Sequence, residues 1–470
     1  MSEPTVDLQA LAQKAGIAPE YVVPYGREVA KIELGALGSK EQKARYVVVT
    51  ATSPTPFGEG KTTTAIGLVQ GMAKIDRNAV LTIRQPAQGP VFGIKGGATG
   101  NGASQVEPAT LINLHLTGDF HAITAAHNLL SAIIDNHLYQ GNELEIEERS
   151  ITWPRVLDVN DRALRHIVTG LGGRIDGVTR QSSFDITPAS EVMVIMSLAT
   201  SLKDLRERLG RIVIGRSKSG KWITAEDLQA AGAMTALLRD ALQPNLLRTS
   251  ENTPVLIHTG PFGNIATGCS SVVADLIAAQ HADYVVTEAG FGADMGAERF
   301  FDLKCAVSGL RPHAAVLVTT VRSLKSHSGK FKITAGKGLP EQMLAESPQD
   351  VRAGQANLLK HIEIVRGFGM EPVVAINVFP TDHESELAEI EAIAREAGAR
   401  VARSYGVVRG GEGCTELAQA VEQACQDSEG QNQARPLYER EDDLKTKIAK
   451  VAAMYGADGV DYTPAAAKLL

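Results

Sequence analysis

The loop at residues 55–62 carries the residue types best suited to bind a phosphate group. It follows an apolar run that ends near Thr50 and precedes a stretch with apolar residues at helical spacing. Glycines in such a loop let backbone N–H groups surround an oxyanion, and the start of a helix adds partial positive charge. Lys61 would reach the terminal phosphates of a nucleotide, and the Thr62 hydroxyl would bind the accompanying magnesium ion. We therefore predict ATP binding by the whole loop, whose residues are Thr55, Pro56, Phe57, Gly58, Glu59, Gly60, Lys61 and Thr62.

A second candidate cation follows the next apolar run, at residues 79–83. Arg84 stands where this strand should end, and ligands of open parallel sheets bind at the carboxyl ends of the strands. Its fixed charge could face the same anion as Lys61. A glycine-rich run from Gly89 to Gly102 comes next, and ordering so many glycines is entropically costly. This cost indicates close backbone packing against a ligand or another segment.

Polar residues form two further clusters that could serve chemistry. His115, Asp119 and His121 lie within a few residues of one another and could take part in magnesium binding or proton transfer. Asn377 and Asp382 follow an apolar run at residues 372–376, with a spacing that loosely matches the nucleotide-base readers of other P-loop proteins.

Each candidate also has a structural interpretation. Thr55 stands where the strict phosphate-loop pattern has glycine, so the loop could be an ordinary turn that exposes a lysine. Arg84 could form a surface ion pair, and a lone histidine is more often a structural hydrogen-bonding group than a ligand. The four cysteines are scattered without metal-ligand spacing, and we interpret them as buried thiols.

The elements that must position these residues alternate between short β-branched runs and helical stretches. Continuous apolar runs suit strands that are buried on both faces of a parallel sheet. The runs lie at residues 46–50, 79–83, 255–258, 284–287, 315–318 and 372–376. The pattern predicts an α/β protein with a P-loop NTPase-like parallel sheet flanked by helices and a smaller lateral α/β subdomain.

Three parts of the chain are predicted. Residues 1–140 and 250–350 would form the nucleotide-binding α/β domain, because they carry the phosphate loop and most apolar runs. Residues 141–249, where strand signals fade into charged amphipathic segments, would be a mainly helical insertion or lateral part. Residues 351–470 would form a second, C-terminally shortened α/β domain.

The overall composition excludes several classes of protein. The 470 residues include 44% hydrophobic and 21% charged residues, which is typical of a globular protein. A net charge of -7 gives no overall positive field for binding nucleic acid. No basic leader and no apolar run of membrane-spanning length is present in the sequence, so we expect a cytoplasmic protein without membrane or nucleic-acid partners.

Beyond these motifs, longer strings throughout the chain resemble the formate–tetrahydrofolate ligase family, also called 10-formyltetrahydrofolate synthetase. They include GPVFGIKGG, INLHLTGD, DNHLYQGNE and TEAGFGAD. The matching strings lie at residues 55–64, 89–97, 112–119, 135–143, 160–166, 184–187, 189–192, 287–294, 301–305, 375–382, 410–413 and 455–460. They are spread over the whole chain, and they are much longer than a nucleotide motif, so chance similarity is negligible.

The resemblance implies a reaction in two steps. ATP phosphorylates formate to formyl phosphate, and the N10 amine of tetrahydrofolate then attacks the formyl carbon. In such an enzyme Lys61 and Arg84 would hold the acyl phosphate, magnesium would accompany ATP, and Phe291 would stack on the pterin. The family is usually a homotetramer, so the resemblance also implies a homo-oligomer.

The sequence departs from the family pattern at positions that bear on function. Gln85 replaces an acidic residue beside Arg84, which leaves dependence on a monovalent cation open. Val407, the second folate-binding candidate besides Phe291, stands where the family has a tryptophan that would stack on the pterin. The chain stops soon after Pro464, where family members continue, so we expect a short form that lacks the C-terminal domain. The leading interpretation is an active ligase. The alternatives are a paralogue that keeps ATP and acyl phosphate chemistry but has a changed or lost folate site, or a catalytically weak regulatory subunit.

Overall fold

A single large mixed sheet organises the chain in a computed structural model. The structure describes residues 6–38, 41–56, 58–93, 97–333, 338–430 and 432–470. The strands are β1 (Val22–Pro24), β2 (Ala30–Ile32), β3 (Arg45–Ala51), β4 (Ala79–Ile83), β5 (Gly100–Asn101), β6 (Ser104–Glu107), β7 (Arg155–Leu157), β8 (Ile167–Thr169), β9 (Arg180–Ser182), β10 (Phe184–Ile186), β11 (Val213–Arg216), β12 (Trp222–Thr224), β13 (Asn245–Thr249), β14 (Pro254–Ile257), β15 (Tyr284–Glu288), β16 (Ala314–Thr319), β17 (Pro372–Asn377) and β18 (Arg400–Ser404).

The strand order of the large sheet is β1-β2-β13-β14-β4-β15-β3-β16-β17-β18. From β14 to β18 every neighbouring pair is parallel, whereas β1, β2, β13 and β14 pair antiparallel at one side. All six apolar runs noted in the sequence are strands of the parallel part. Parallel strands end at the same edge, so the residues that follow β4, β15, β3, β16 and β17 are brought to one carboxyl edge.

Both faces of the sheet are buried, which explains the continuous apolar runs. Successive side chains of a strand point to opposite faces. Tyr46 and Val48 of β3 join one core cluster, whereas Val47 and Val49 join the other. The α/β fold with a parallel-rich sheet flanked by helices is therefore confirmed, and the antiparallel strands β1, β2 and β13 are additions that the sequence pattern did not indicate.

Helices connect the strands and cover the two faces. They are α1 (Leu8–Lys14), α2 (Lys61–Lys74), α3 (Gln88–Val91), α4 (Ala109–Asn113), α5 (Asp119–Tyr139), α6 (Glu191–Leu198), α7 (Leu202–Gly210), α8 (Ala231–Leu238), α9 (Val272–His281), α10 (Ala306–Ser308), α11 (Val321–His327), α12 (Glu341–Leu344), α13 (Pro348–Ala353), α14 (Gln355–Gly367), α15 (Glu384–Glu396), α16 (Gly406–Arg409), α17 (Thr415–Ser428), α18 (Leu444–Met454) and α19 (Pro464–Leu469). Two further segments, Ala293–Ala297 and Phe300–Cys305, are π-helical. Across the described ranges, no helix combines the length and apolar character needed to cross a membrane.

The predicted division of the chain into parts does not follow breaks in the sheet. Residues 351–470 contribute β17 and β18, which continue the same parallel sheet from β16. Residues 141–249 contain helices α6, α7 and α8 but also the short strand pairs β7 with β10, β8 with β9 and β11 with β12. Strand β13, at the end of this part, belongs to the main sheet. Whether the parts fold as separate domains stays a prediction.

Candidate active site at the carboxyl edge of the sheet

The loop between β3 and α2 has the backbone shape of an anion-binding turn. Gly58 and Gly60 have φ values of 70° and 75°, in the left-handed region that favours glycine. A Cβ added at Gly60 would lie 2.2 Å from the side-chain nitrogen of Asn377, so no larger residue fits there. Helix α2 begins at Lys61, directly after this turn. The loop therefore offers a helix start and a lysine together, as the sequence predicts; Phe57 lies outside the described residues.

The remaining loop residues divide into buried and exposed positions. Thr55 and Glu59 are buried, with the backbone N–H of Thr55 donating to Oε1 of Glu59 over 2.7 Å. Pro56 is exposed. The loop is thus held by a side chain of its own, which the glycine-lysine motif alone does not indicate.

Glu288 is a functional candidate that the sequence reasoning missed. It is the last residue of β15, next to β3 in the sheet, and is only 8% exposed. The Thr62 hydroxyl donates to its Oε2 over 2.8 Å. A charged residue at the end of the apolar run at residues 284–287 was the available signal. The pair places a hydroxyl and a carboxylate at the start of α2.

Arg84 lies on the other side of β15, because β4 pairs with β15 and β15 pairs with β3. Its Nη1 donates to the carbonyl of Pro261 over 3.0 Å. A Cβ added at Gly290 would lie 2.8 Å from Nη2 of Arg84, so glycine at this position leaves room for the guanidinium. Since neighbouring strands lie about 4.8 Å apart, β4 and β3 are separated by about 10 Å. Arg84 and the loop that carries Lys61 thus follow strands on either side of β15, at the same edge of the sheet.

The neighbouring Gln85 is 2% exposed, and its backbone N–H donates to the carbonyl of Thr259 over 2.7 Å. Its side-chain oxygen is buried without a hydrogen-bond partner among the described residues. A neutral side chain is therefore enclosed at the position next to Arg84, where the family has an acidic residue.

Phe291 and Val407, the two folate-binding candidates, follow different strands. Phe291 comes after β15, has a φ of 63°, and its ring lies against Gly263, where an added Cβ would be 2.7 Å from Cδ2. Val407 comes after β18, and its carbonyl accepts from the N–H of Ala103 over 2.9 Å. Strands β3, β16 and β17 lie between β15 and β18 in the sheet. Phe291 is next to the phosphate loop in strand order, whereas Val407 is at the end of the sheet.

The backbone around Phe291 is anchored by Asp294. The Asp294 carboxylate lies 3.5 Å from Nε2 of His361, and this contact holds the pKa of Asp294 below its usual value. Nε2 of His361 is also 3.5 Å from the hydroxyl of Ser53, which leads into the phosphate loop. The Tyr455 hydroxyl donates to the Asp294 carbonyl. Helix α14, which carries His361, thus connects the Phe291 loop with the phosphate loop.

The His115, Asp119 and His121 cluster divides in the structure. Nδ1 of His115 and Nε2 of His121 are 2.7 Å apart on the surface. Asp119 is buried, paired with Lys31 at 2.6 Å and accepting from Asn245 over 2.7 Å. Burial lowers the pKa of Lys31, and the charge of Asp119 opposes that change. Asp119 therefore has a structural partner inside the core rather than a place beside the histidines.

Asn377 and Asp382 also have different surroundings. Asn377 is 2% exposed and its Nδ2 donates to the carbonyl of Glu59 over 3.1 Å, so it supports the phosphate loop. Asp382 lines a cavity of about 40 Å³ together with Arg322 and Phe379. Burial raises the pKa of Asp382 to about 6, partly offset by a hydrogen bond from the N–H of Phe379.

Arg322 joins this cavity to the phosphate loop. Its guanidinium carbon lies 4.0 Å from the centre of the Phe379 ring, and Nη2 donates to the carbonyl of Gly58 over 2.6 Å. The sequence reasoning missed both residues. Arg322 comes shortly after the apolar run at residues 315–318, which was the signal for a position at the carboxyl edge.

The donor atoms available for a metal ion are oxygens. Within the described ranges no group of three or more His, Cys, Asp or Glu side chains could hold a metal ion. Mg²⁺ needs only one or two protein oxygens when it is bound together with substrate phosphates. The Thr62 hydroxyl and the Glu288 carboxylate, 2.8 Å apart, fit this requirement.

Comparison with known proteins agrees with the resemblance seen in the sequence. The family model described as formate–tetrahydrofolate ligase matches residues 2–470. Formate–tetrahydrofolate ligase from Cutibacterium acnes is 60% identical over 466 residues, which are 98% of this chain and 82% of the relative. The proteins of the same name from Saccharopolyspora erythraea and Symbiobacterium thermophilum are 59% and 50% identical, with the same coverage of both chains.

The family model extends to residue 470, so it does not support the expected loss of a C-terminal domain. The chain spans about four fifths of the length of these relatives, 82% in each case. The match by the family model and the identities of 50–60% are both far above chance similarity. The chain therefore belongs to the formate–tetrahydrofolate ligase family.

Proposed function

We propose that this chain ligates formate to tetrahydrofolate at the expense of ATP, through a formyl phosphate intermediate. The observation that carries the proposal is the placement of Lys61 at the start of α2, in the loop that follows β3, with Arg84 and Glu288 at the ends of the nearby strands β4 and β15. Two fixed cations beside one acidic residue suit the transfer of a phosphoryl group. The names of the relatives support the choice of substrates.

In the first step a formate oxygen attacks the γ-phosphorus of ATP. A P–O bond to formate forms while the bond to the β-phosphate oxygen breaks, and ADP leaves. The protein takes no covalent part in this step, so it must act by positioning the reactants and by stabilising the negative charge on the transferred phosphoryl group. Lys61 would hold the terminal phosphates, and Arg84, with its fixed charge, would hold the acceptor side of the same group.

In the second step the N10 amine of tetrahydrofolate attacks the formyl carbon of formyl phosphate. The C–O bond to phosphate breaks, and the amine loses its proton to solvent or to phosphate. Arg84 and Lys61 would stabilise the departing phosphate with the same two charges that would hold it in the first step. Phe291, next to the phosphate loop in strand order, would offer its ring to the pterin.

Thr62 and Glu288 would hold a Mg²⁺ ion that accompanies ATP. When bound, the ion would neutralise charge on the terminal phosphates. The Thr62 side chain is oriented for this by its 2.8 Å hydrogen bond to Glu288.

The nucleoside end of ATP would lie towards Arg322 and Phe379. Both residues follow strands β16 and β17, on the side of β3 opposite to Arg84. The Arg322 guanidinium is stacked on Phe379 and bonded to the loop at Gly58, so this wall and the loop are held together. Asp382, at the same cavity, would add a hydrogen-bonding group.

The alternative interpretations, a changed or lost folate site or a weak regulatory subunit, gain no support from the relatives, which share one ligase name at 50–60% identity. Residues His115 and His121 stay candidates for a polar role near the surface. Assembly as a homo-oligomer stays a prediction drawn from the family.

The deciding experiment follows ADP release by the purified chain with ATP and Mg²⁺. We expect turnover with formate and tetrahydrofolate together, and formation of 10-formyltetrahydrofolate in equal amount. Turnover with formate that does not depend on tetrahydrofolate would contradict the proposed acceptor, and no turnover by a folded chain would contradict the whole proposal.

Lys61→Ala is the control for this assay. Loss of the only lysine in the loop should reduce turnover by about a thousandfold or more, because the cation acts on charge that develops at the phosphates. Circular dichroism and thermal unfolding would verify that the variant is folded. Activity that survives the change would come from a contaminating enzyme.

A further inference from the structure

We infer that Glu59 is a positioning residue whose buried side chain sets the shape of the phosphate loop, an inference that rests on the proposed ATP site. Glu59 stands between the two loop glycines and is 1% exposed. A carboxylate has the wrong sign of charge for a loop that binds phosphates, and burying a charge is costly unless hydrogen bonds compensate. Its presence there calls for a function other than contact with ATP.

Both carboxylate oxygens of Glu59 are used within the protein. Oε1 accepts from the backbone N–H of Thr55 over 2.7 Å, and Oε2 accepts from the hydroxyl of Thr320 over 2.5 Å. Thr320 directly follows β16 and caps the N-terminus of helix α11, where its oxygen also accepts from the N–H of Ser323 over 3.0 Å. The side chain of Glu59 thus ties the start of the loop to the end of the neighbouring strand.

Two further hydrogen bonds fix the peptide groups around Glu59. The carbonyl of Gly58 accepts from Arg322 over 2.6 Å, and the carbonyl of Glu59 accepts from Asn377 over 3.1 Å. In a planar trans peptide the N–H of the next residue points opposite to the carbonyl. The N–H groups of Glu59 and Gly60 are therefore directed away from Arg322 and Asn377. Such consecutive N–H groups form the concave surface that binds an oxyanion.

Two substitutions at position 59 distinguish the hydrogen bonds of the Glu59 side chain from its negative charge. A glutamine at position 59 can still accept from the Thr55 N–H through its oxygen. Its amide can donate to the Thr320 hydroxyl, which has a second lone pair for the Ser323 N–H. An alanine provides neither contact and leaves a buried N–H at Thr55 without this acceptor.

The test measures ADP binding by calorimetry and steady-state constants for the 470-residue chain, its Glu59→Ala variant and its Glu59→Gln variant. We expect Glu59→Ala to weaken ADP binding and raise the KM for ATP by about tenfold or more, because two hydrogen bonds to a charged group are lost. The KM values for formate and tetrahydrofolate should change by less than about twofold, since neither would contact this side chain. Glu59→Gln should recover most of the loss.

A pair of threonine variants provides the matched control. Thr320→Val removes the hydroxyl that holds Glu59 and should weaken ADP binding by about threefold to tenfold. Thr319→Val removes a buried hydroxyl one position earlier, which accepts from Thr52 over 3.4 Å, and should leave ADP binding unchanged. If Glu59→Ala does not fold, as judged by circular dichroism, the two threonine variants decide the question.

Several results would overturn the inference. ADP binding by folded Glu59→Ala within twofold of wild type, or equal losses in Glu59→Gln and Glu59→Ala, would exclude a hydrogen-bonding role. Equal behaviour of Thr320→Val and Thr319→Val would do the same. Failure of the wild-type chain to bind ADP would refute the ATP site itself, whereas normal wild-type binding with unaffected variants would refute only the role of Glu59.

Discussion

The carboxyl edge of the sheet has two regions that are held in different ways. The phosphate end, defined here as residues 55–62 with Arg84 and Glu288, is fixed by side chains on adjacent strand ends. The acceptor end, defined as residues 291–305 with the π-helical segments Ala293–Ala297 and Phe300–Cys305, is fixed by segments that are distant in sequence. Asp294 contacts His361 and Tyr455, and Asp302 accepts from the N–H of Leu437 over 2.6 Å.

The two ends also differ in charge. At the phosphate end the cations Lys61 and Arg84 accompany Glu288, which accepts a hydrogen bond from Thr62. At the acceptor end Glu298 and Asp302 lie side by side, and burial raises the pKa of Glu298 to about 7 and that of Asp302 to about 6. This difference agrees with the proposal that the chemistry takes place at the phosphate end and that the acceptor end forms a binding surface.

The largest effect is expected from changing Glu288 at the phosphate end. Glu288→Gln keeps the shape of the side chain and an acceptor for Thr62, but it removes the negative charge. We expect kcat to fall by about a hundredfold and the Mg²⁺ concentration for half-maximal activity to rise, because the variant loses the carboxylate that is proposed to hold the ion. Steady-state assays over a Mg²⁺ series would measure both quantities.

Glu391→Gln is the matched control for this experiment. Glu391 is a partly buried carboxylate on α15 that pairs with Arg403 at 2.6 Å. The same chemical change there should leave the Mg²⁺ dependence as in wild type. Equal Mg²⁺ dependence of Glu288→Gln and wild type would contradict the assigned role of Glu288.

A smaller and more selective effect is expected at Phe291. Phe291→Leu removes a flat ring while keeping an apolar side chain, so we expect the KM for tetrahydrofolate to rise by about tenfold, the usual size for loss of one stacked ring. The KM for ATP should stay close to that of wild type. The selective change would place Phe291 at the acceptor end only.

Trp153→Leu tests whether loss of an aromatic ring in general has this effect. Trp153 is buried away from the acceptor end, where its ring stacks on His127 with ring centres 4.1 Å apart. We expect it to lower the melting temperature without changing the KM for tetrahydrofolate. If Phe291→Leu raised the KM values for ATP and tetrahydrofolate equally, the separation of the two ends would be wrong.

The same contrast explains what the sequence could predict. The phosphate end is encoded by a short motif and by polar residues that follow apolar runs, so Lys61, Thr62 and Arg84 could be proposed from the sequence alone. The six buried runs likewise predicted the parallel strands, because burial on both faces leaves a continuous apolar pattern. Glu288 and Arg322 also follow apolar runs closely, so a search for polar residues after every run would have included both of them.

Contacts between distant segments could not be predicted. Asp119 resembled a site residue beside His115, but Lys31 and Asn245 enclose it in the core. Asn377 resembled a base reader, but it supports the phosphate loop at Glu59. Such partners are set by strand order, since β17 lies two positions from β3, and no local pattern encodes that order.

The smallest effect is a pH-dependent change in stability at the acceptor end. Burial, followed by the neighbouring charge of Asp302, raises the pKa of Glu298 to about 7 in the folded chain. Between the unfolded pKa and this value the folded state binds more protons than the unfolded state, so stability falls as pH rises through about 4.5 to 7. Glu298→Gln cannot ionise and should therefore be more stable than wild type at pH 8, by about 1–2 kcal/mol.

At pH 4.5 and below, Glu298 of the wild type is itself protonated when folded, so the advantage of the variant should shrink towards zero. Urea unfolding at both pH values would measure the difference. Glu226→Gln, at an exposed residue paired with Arg206, is the control and should show no such gain at pH 8. A gain of equal size at both pH values would mean that Glu298→Gln acts through packing and not through loss of the ionisable group. The acceptor end would then differ from the phosphate end in its contacts but not through a buried carboxyl group that ionises near neutral pH.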